Sequence, residues 1–248
     1  MNVLRLLQGA PEPQHPSEQR RAAELERTQA IAERYAAQAH HPYERRSLDA
    51  LLRTLDLIIA GALLAVLSPV IGALMLMILL TSGRPVLYRG PRVGRAGRTF
   101  TMYKLRTLKP DAETRLGPYQ AGALDRRTPE ELTRVGRWLR STHLDELPQL
   151  WNVVCGDMSL VGPRPIRPVF FEQLCEEIPQ YWQRLVVRPG LTGLAQLRMA
   201  RDMTWAEKLA HDLEWLADRS VGLYLRLVLA TIWRLTQRGA GDVTSLLR

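Results

Sequence analysis

Asp145 and Glu146 are adjacent acids in RSTHLDELPQL, with a third acid, Asp157, and the loop Gly162-Pro163-Arg164-Pro165 following. Carboxylates can ligate Mg²⁺, and a desolvated aspartate can attack phosphorus. A guanidinium braced between two prolines is preorganised for bidentate contact with phosphate. Together these residues suggest phosphoryl chemistry. Pro148 suits a first helical turn, which would set both acids at the positive end of a helix and favour their ionised form. An N-cap with a solvated neighbour has the same signature. Likewise, Arg164 is placed either for a phosphate or for pairing with a local acid.

Further cations could serve the same chemistry. Lys104 and Arg106 alternate with Tyr103 and Leu105 in YKLRT. They would project from one strand face, suited to a diphosphate or simply lining an exposed edge. Arg137 and Arg140, three apart on a helix leading to the acids, share a face that is either an anion clamp or a solvated surface. His143 stands two residues before Asp145, where a lone histidine is more often structural or exposed than catalytic. His15, His40 and His41 show no ligand spacing.

These residues need elements to position them. The chain has 248 residues, enough for one sizeable core with an appendage, and a net charge of +9 that favours anionic partners. A nucleic-acid binder is disfavoured, since no helix-turn-helix, RNP or zinc pattern accompanies the charge. The two cysteines, Cys155 and Cys175, form neither a disulfide framework nor a zinc site and fit a reduced compartment. No secretory signal is apparent at the N-terminus. Residues 1–16 are rich in Pro and Gln, and 17–40 read as an accessory helix outside the core.

Leu57 to Leu80 holds 24 residues without a charge, long enough to span a membrane. Ser68-Pro69 divides it into halves of 11 residues. Each would cover roughly 16 Å as a helix, about half of a hydrocarbon core of about 30 Å. Arg45, Arg46 and Arg53 precede the run, and Arg84, Arg89, Arg92, Arg95 and Arg98 follow it. Basic flanks mark the cytoplasmic side, and here both flanks are basic. A re-entrant helix-break-helix is therefore expected, in preference to a kinked spanning helix or a buried core helix.

Beyond it, PVLYRG and RTFTMYKLRTL around PRVGRAG predict a β-hairpin, and 110–130 reads as loop. Helices are predicted at 129–140, 147–155, 169–177, 204–218 and 221–237, with RPGLTGLAQL a loop or short strand. Tyr181 and Trp182 are placed to sit at headgroup level. The fold class is α+β, mainly helical. It divides into an N-terminal extension (1–45), a re-entrant membrane segment (46–82) and a cytoplasmic catalytic domain with interfacial helices (83–248).

The combined motifs resemble the bacterial sugar transferase family, the monotopic polyprenol-phosphate phosphoglycosyl transferases. The resemblance runs from about Arg46 to Thr231. It rests on Arg53/Asp56, Ser68-Pro69, RVG at 92–94, YKLRT at 103–107, RVGRWLRSTHLDELPQLWNVVCGDMSLVGPRP at 134–165 and RPGLTGLAQ at 188–196. It implies transfer of a phosphosugar from a UDP-sugar to a polyprenol phosphate such as undecaprenyl phosphate, with Mg²⁺ and release of UMP. On that resemblance Asp145 is the nucleophile, forming a covalent phosphosugar intermediate. Glu146 positions metal or manages a proton, and Lys104, Arg106, Arg140 and Arg164 neutralise phosphates, with Asp157 in support. The metal would rest on Asp145 and Glu146.

The implied setting is the cytoplasmic face of the bacterial inner membrane, with both termini on that side. The pathway would build a surface glycan or exopolysaccharide, with downstream glycosyltransferases or a second copy as further partners. Gly90-Pro91, His143 and Leu105 depart from the family pattern. A membrane-anchored scaffold of the same fold without activity is the alternative, disfavoured by the intact Asp145, Glu146, Lys104 and Arg164. The sugar is not legible; residues that read it are expected within 108–130 and 195–215.

Overall fold

The computed structural model describes residues 45–110, 112, 129–198 and 203–236. The N-terminal extension and most of the segment expected to help read the sugar at 108–130 lie outside the described residues, as do 199–202 of the second such segment. The described chain is mostly helical, with two small sheets and one long apolar helix.

That helix, α1, runs unbroken from Arg46 to Ser82 over 37 residues with Pro69 inside it. Proline has no amide hydrogen, so the carbonyl one turn earlier loses its donor. Ser68 replaces it: its Oγ donates to the Ala65 carbonyl at 2.9 Å. The expected interruption at Ser68-Pro69 is thus bridged, and the helical path continues through it.

The two ends of α1 are both docked on the rest of the protein. Leu52, Asp56 and Ala60 are buried near its start, and Leu74 and Ile78 near its end. Between them the helix is open, with Val66 73% exposed and Val70 43% exposed. Arg53 donates to the Val153 and Val154 carbonyls at 2.6 and 2.9 Å. The Asp56 carboxylate accepts from Ser159 Oγ at 3.0 Å, the Leu160 amide at 2.8 Å and the Tyr224 hydroxyl at 2.8 Å.

After α1 the chain forms the hairpin β1 (Leu87–Val93) and β2 (Thr99–Leu105), antiparallel with Tyr88 opposite Lys104 and Gly90 opposite Met102. Helices α2 (Arg134–Thr142) and α3 (Gln149–Cys155) follow. Thr133 caps α2, its Oγ1 accepting from the Gly136 amide at 2.8 Å. A side chain at Gly136 would strike the Thr107 backbone, so α2 lies directly on the end of β2.

A second sheet pairs β3 (Ser159–Val161) in parallel with β4 (Gly190–Thr192). RPGLTG therefore supplies a strand. Gly162 and Gly190 meet so closely that a Cβ on either would overlap the other segment's backbone. Helices α4 (Pro168–Glu177), α5 (Leu194–Arg198), α6 (Trp205–Asp218) and α7 (Val221–Thr236) complete the described chain.

The main core joins Leu52 and Ala60 of α1 to Leu150, Val153, Leu160, Leu216 and Leu227. A smaller cluster joins Leu74 and Ile78 to Leu105 and Leu139, fastening the far end of α1 beneath the hairpin. Helix α7 buries Tyr224, Leu227 and Ala230, leaving Leu225, Leu229, Ile232 and Trp233 exposed.

Candidate active site

Asp145 and Glu146 lie in a single 3₁₀ turn, Leu144–Glu146, ahead of α3; Pro148 is the N-cap of that helix. The acids therefore stand just ahead of the start of α3, but in a 3₁₀ turn of their own, and Pro148 is the cap of that helix where the sequence placed it in the first turn. The turn begins at His143, which ends α2 in the left-handed region (φ 58°, ψ 13°). Histidine is among the residues that tolerate that region better than most. The departure at His143 thus sits at a backbone corner that aims the two acids.

The acids are held differently. Glu146 Oε1 accepts from Lys104 Nζ at 2.6 Å and from Arg164 Nη2 at 2.9 Å. Burial alone would raise the Glu146 carboxyl, but Arg164 and Lys104 outweigh it and hold the group down at about 2. Asp145 is only 6% exposed, and among the described residues no hydrogen bond or ion pair engages its carboxylate. Burial pushes its carboxyl upward, Glu146 adds to that, and Lys104 and Arg140 oppose it. Burial also lowers the Lys104 ammonium, with Glu146 pulling it back. The result is one carboxylate tied to two cations and a neighbour left unpaired beside them.

Each cation reaches the site from its own element. Lys104 comes from β2, and β2 is held by Asn152 of α3, which is fully buried. Asn152 Oδ1 accepts from the Tyr103 amide at 3.1 Å, and its Nδ2 donates to the Thr101 carbonyl at 2.8 Å. Arg164 comes from the proline-flanked loop, whose carbonyl at Arg164 accepts from Arg184 Nη2 at 2.8 Å. Arg184 is itself buried, paired with Asp212 at 2.9 Å, and donates to the Tyr181 hydroxyl at 2.6 Å. The loop therefore rests on a buried ionic strut. Tyr181, expected at headgroup level, is instead 1% exposed within that strut.

The structure brings Lys104, Asp145, Glu146 and Arg164 together, with Arg140 exposed nearby and close enough to act on Asp145. Arg106 does not join them. Strand β2 ends at Leu105, so the alternation stops there, and the Arg106 guanidinium turns to the Ser82 and Gly83 carbonyls at the end of α1. Arg137 is exposed on α2. Asp157 accepts from Asn152 Nδ2 at 3.1 Å, so its link to the site runs through the residue that holds β2.

Asn152, Arg184 and Asp212 were not found by sequence reasoning. Asn152 sits in an apolar helical run where nothing marks its role, and Arg184 and Asp212 fall on separate elements with no motif joining them. Chemically, an unpaired buried carboxylate beside paired cations can attack a phosphorus whose charge those cations neutralise.

Residues 48–238 match the family described as bacterial sugar transferase. The chain is 40% identical over 196 residues to the UDP-glucose:undecaprenyl-phosphate glucose-1-phosphate transferase of Caulobacter vibrioides, covering 77% of this chain and 72% of that protein. It is 38% identical over 183 residues to the UDP-N-acetylgalactosamine-undecaprenyl-phosphate N-acetylgalactosaminephosphotransferase of Aeromonas hydrophila, covering 73% of this chain and 42% of that protein. An exopolysaccharide production protein of Rhizobium leguminosarum bv. phaseoli is 35% identical over 202 residues, covering 77% of this chain and 98% of its own length. With the family matched over most of its length, this chain belongs to the bacterial sugar transferases.

Proposed function

We propose that this phosphoglycosyl transferase moves a phosphosugar from a UDP-sugar to a polyprenol phosphate, of which undecaprenyl phosphate is the kind named for its relatives. The observation that carries the reading is the shared Glu146 oxygen: Lys104 and Arg164 are both aimed at it, beside an unpaired Asp145. A diphosphate arriving there can take over both cations while Asp145 remains free to attack.

In the first step an Asp145 oxygen bonds to the sugar-linked phosphorus and the bond from that phosphorus to the bridging oxygen breaks. UMP leaves with that oxygen and its electron pair. In the second, an oxygen of the polyprenol phosphate bonds to the same phosphorus and the Asp145–phosphorus bond breaks, regenerating the carboxylate. Lys104 and Arg164 balance the charge that builds on the phosphoryl oxygens.

Mg²⁺ fits this site as an ion shared with substrate. Among the described residues no group of three or more His, Cys, Asp or Glu could hold a metal. Asp145 and the second oxygen of Glu146 would supply protein ligands, and phosphates and water the rest, which is how Mg²⁺ is commonly held. When bound, it would supply charge neutralisation at the diphosphate.

The same reading places α1 as a re-entrant helix in the cytoplasmic membrane of a bacterium, with the catalytic domain on the cytoplasmic side. Its support is the docking of both ends of α1 on one domain with an exposed apolar middle, together with basic residues on both flanks. The exposed face of α7 would rest on the same surface. The product would feed assembly of a surface glycan or exopolysaccharide.

Two measurements test this. Intact-mass analysis after incubation with UDP-sugar and Mg²⁺, without acceptor, should show a phosphosugar adduct that Asp145→Asn abolishes; an adduct surviving in that variant removes Asp145 as nucleophile. Single cysteines introduced at positions 46 and 84, in a Cys155→Ser/Cys175→Ser background, should both react with an impermeant maleimide only from the cytoplasmic side. Labelling of either from the periplasm would restore a spanning helix.

A further inference from the structure

Next to the cluster described above, β1 carries a buried arginine that the chemistry so far does not use. Arg92 is 8% exposed. Its Nη1 donates to the Pro91 carbonyl at 2.7 Å, and its guanidinium lies 6.0 Å from the centre of the Tyr88 ring. Among the described residues no carboxylate pairs with it. Other guanidinium groups stand close instead. The antiparallel bridge between Val93 and Ile166 sets Arg167 beside Arg92, and Arg164 lies near enough to repel it as well. Burying a cation without a counter-charge is costly, and crowding it with like charges adds to the cost. Such an arrangement is suited to an anion supplied from outside.

The local sequence is arranged around that position. Residues 88, 90 and 92 share a face of β1. The Tyr88 ring lies across Gly90, where any Cβ would collide with the phenol. Gly90, one of the departures from the family pattern, is therefore the seat of the ring. Seated there, the Tyr88 hydroxyl accepts from Arg167 Nη2 at 3.1 Å, with the Arg92 guanidinium beside the same ring. Arg167 is the N-cap of α4, a helix with no side-chain cap. Tyr88 is opposite Lys104 in the hairpin register, which joins this group to the Lys104–Glu146–Arg164 cluster.

We infer that Arg92, with Tyr88 and Arg167, forms a second phosphate subsite that holds the donor's departing phosphate, the one carried away on UMP. This rests on the proposed reaction: Lys104 and Arg164 attend the phosphorus that Asp145 attacks, and the adjoining phosphate of the same diphosphate falls to the neighbouring arginines. The acceptor's phosphate must in turn approach the phosphorus held on Asp145, so both substrates could draw on this cluster. The assignment is to the donor.

The test uses the full chain in lipid nanodiscs, measuring UMP and uridine affinity, steady-state kinetics with a UDP-sugar and a short polyprenyl phosphate, and thermal unfolding. Arg92→Met should weaken UMP binding and raise the KM for the UDP-sugar by about tenfold or more, the size of a lost charge-assisted contact. The KM for polyprenyl phosphate should stay within about twofold, and uridine, which has no phosphate, should not distinguish the two proteins. Tm should not fall, because the side chain removed is a buried charge that no carboxylate balances. Tyr88→Phe keeps the ring and its seat and should weaken UMP binding about threefold, the size of one neutral hydrogen bond.

Unchanged UMP affinity in both variants overturns the subsite, as does an equal loss toward polyprenyl phosphate. A Tm that falls in step with binding would make Arg92 structural. Adduct formation is read in parallel. If wild type forms the Asp145 adduct but neither variant loses UMP, the subsite fails and the reaction stands. If wild type forms no adduct while Arg92→Met still abolishes UMP binding, the reaction fails and the subsite stands.

Discussion

Two carboxylates organise this protein, and their surroundings differ in kind. Asp56 on α1 collects three neutral donors, from Ser159, Leu160 and Tyr224, inside the main core. Glu146 in the 3₁₀ turn collects two cations, from Lys104 and Arg164, at a surface where the arginine side chain is 55% exposed. Neutral donors in a core have no competing acceptor to go to, so Asp56 is a permanent joint between α1, β3 and α7. Cations at a surface can be handed to an incoming phosphate. On the proposed reaction Glu146 keeps them in position until one arrives, which would make its contacts part of a working cycle and those of Asp56 part of the frame.

The comparison is broken most forcefully beside Glu146. Asp145→Asn should lower kcat about 10⁴-fold or more, as loss of a covalent nucleophile does, with Tm unchanged or raised because a buried, unpaired charge is removed. A wild-type rate in that variant would sink the comparison, since Asp145 would then be frame as well. Lys104→Met should follow, with a loss of about 10²–10³-fold in kcat, the usual size for a donor that stabilises transition-state charge. Its unfolding midpoint should move little.

Asp56→Ala should show the reverse pattern. It leaves the Ser159 and Tyr224 hydroxyls and the Leu160 amide without their acceptor, at a cost of about 3 kcal/mol or more in unfolding free energy. Turnover per folded molecule should be retained, measured by normalising activity to the folded fraction in detergent. A variant that stays folded but loses turnover would assign Asp56 to the chemistry instead. Asn152→Ala lies between the two classes. It removes the bonds to Tyr103 and Thr101 that hold the strand bearing Lys104, and should cost about 2 kcal/mol, with kcat lowered modestly as Lys104 loses its aim.

Much of this division was legible in the sequence, and the part that was not has a common physical cause. Asp145, Glu146, Lys104 and Arg164 stood out because their residue types, in short motifs with turn-forming neighbours, limit what they can do. The hairpin was legible from alternation around a glycine-rich turn. What could not be read was long-range partnership. Arg106 alternates correctly with Lys104, yet the strand ends between them and the α1 carbonyls, whose last turn carries no basic residue, claim it. Tyr181 reads as an interfacial aromatic until Arg184 and Asp212 are seen to close over it. At Ser68-Pro69 the sequence held both the cause of a break and its repair, and only the geometry shows the hydroxyl making the repair.

That repair yields the smallest effect and the sharpest contrast with Asp56, whose partners come from more than 100 residues away while Ser68 acts within one turn. Ser68→Ala leaves the Ala65 carbonyl with neither an amide nor a hydroxyl donor and should cost about 1 kcal/mol. Pro69→Ala restores the amide donor, so in that background Ser68→Ala should cost almost nothing. Unfolding of the four proteins in nanodiscs closes a double-mutant cycle, with an expected coupling of about 1 kcal/mol. Additive effects would mean that Ser68 is an exposed hydroxyl with no share in carrying α1 through its proline. Coupling would mean that the helix crosses Pro69 by local replacement, and that its shape in the membrane is set at these two residues and by the docking of its two ends.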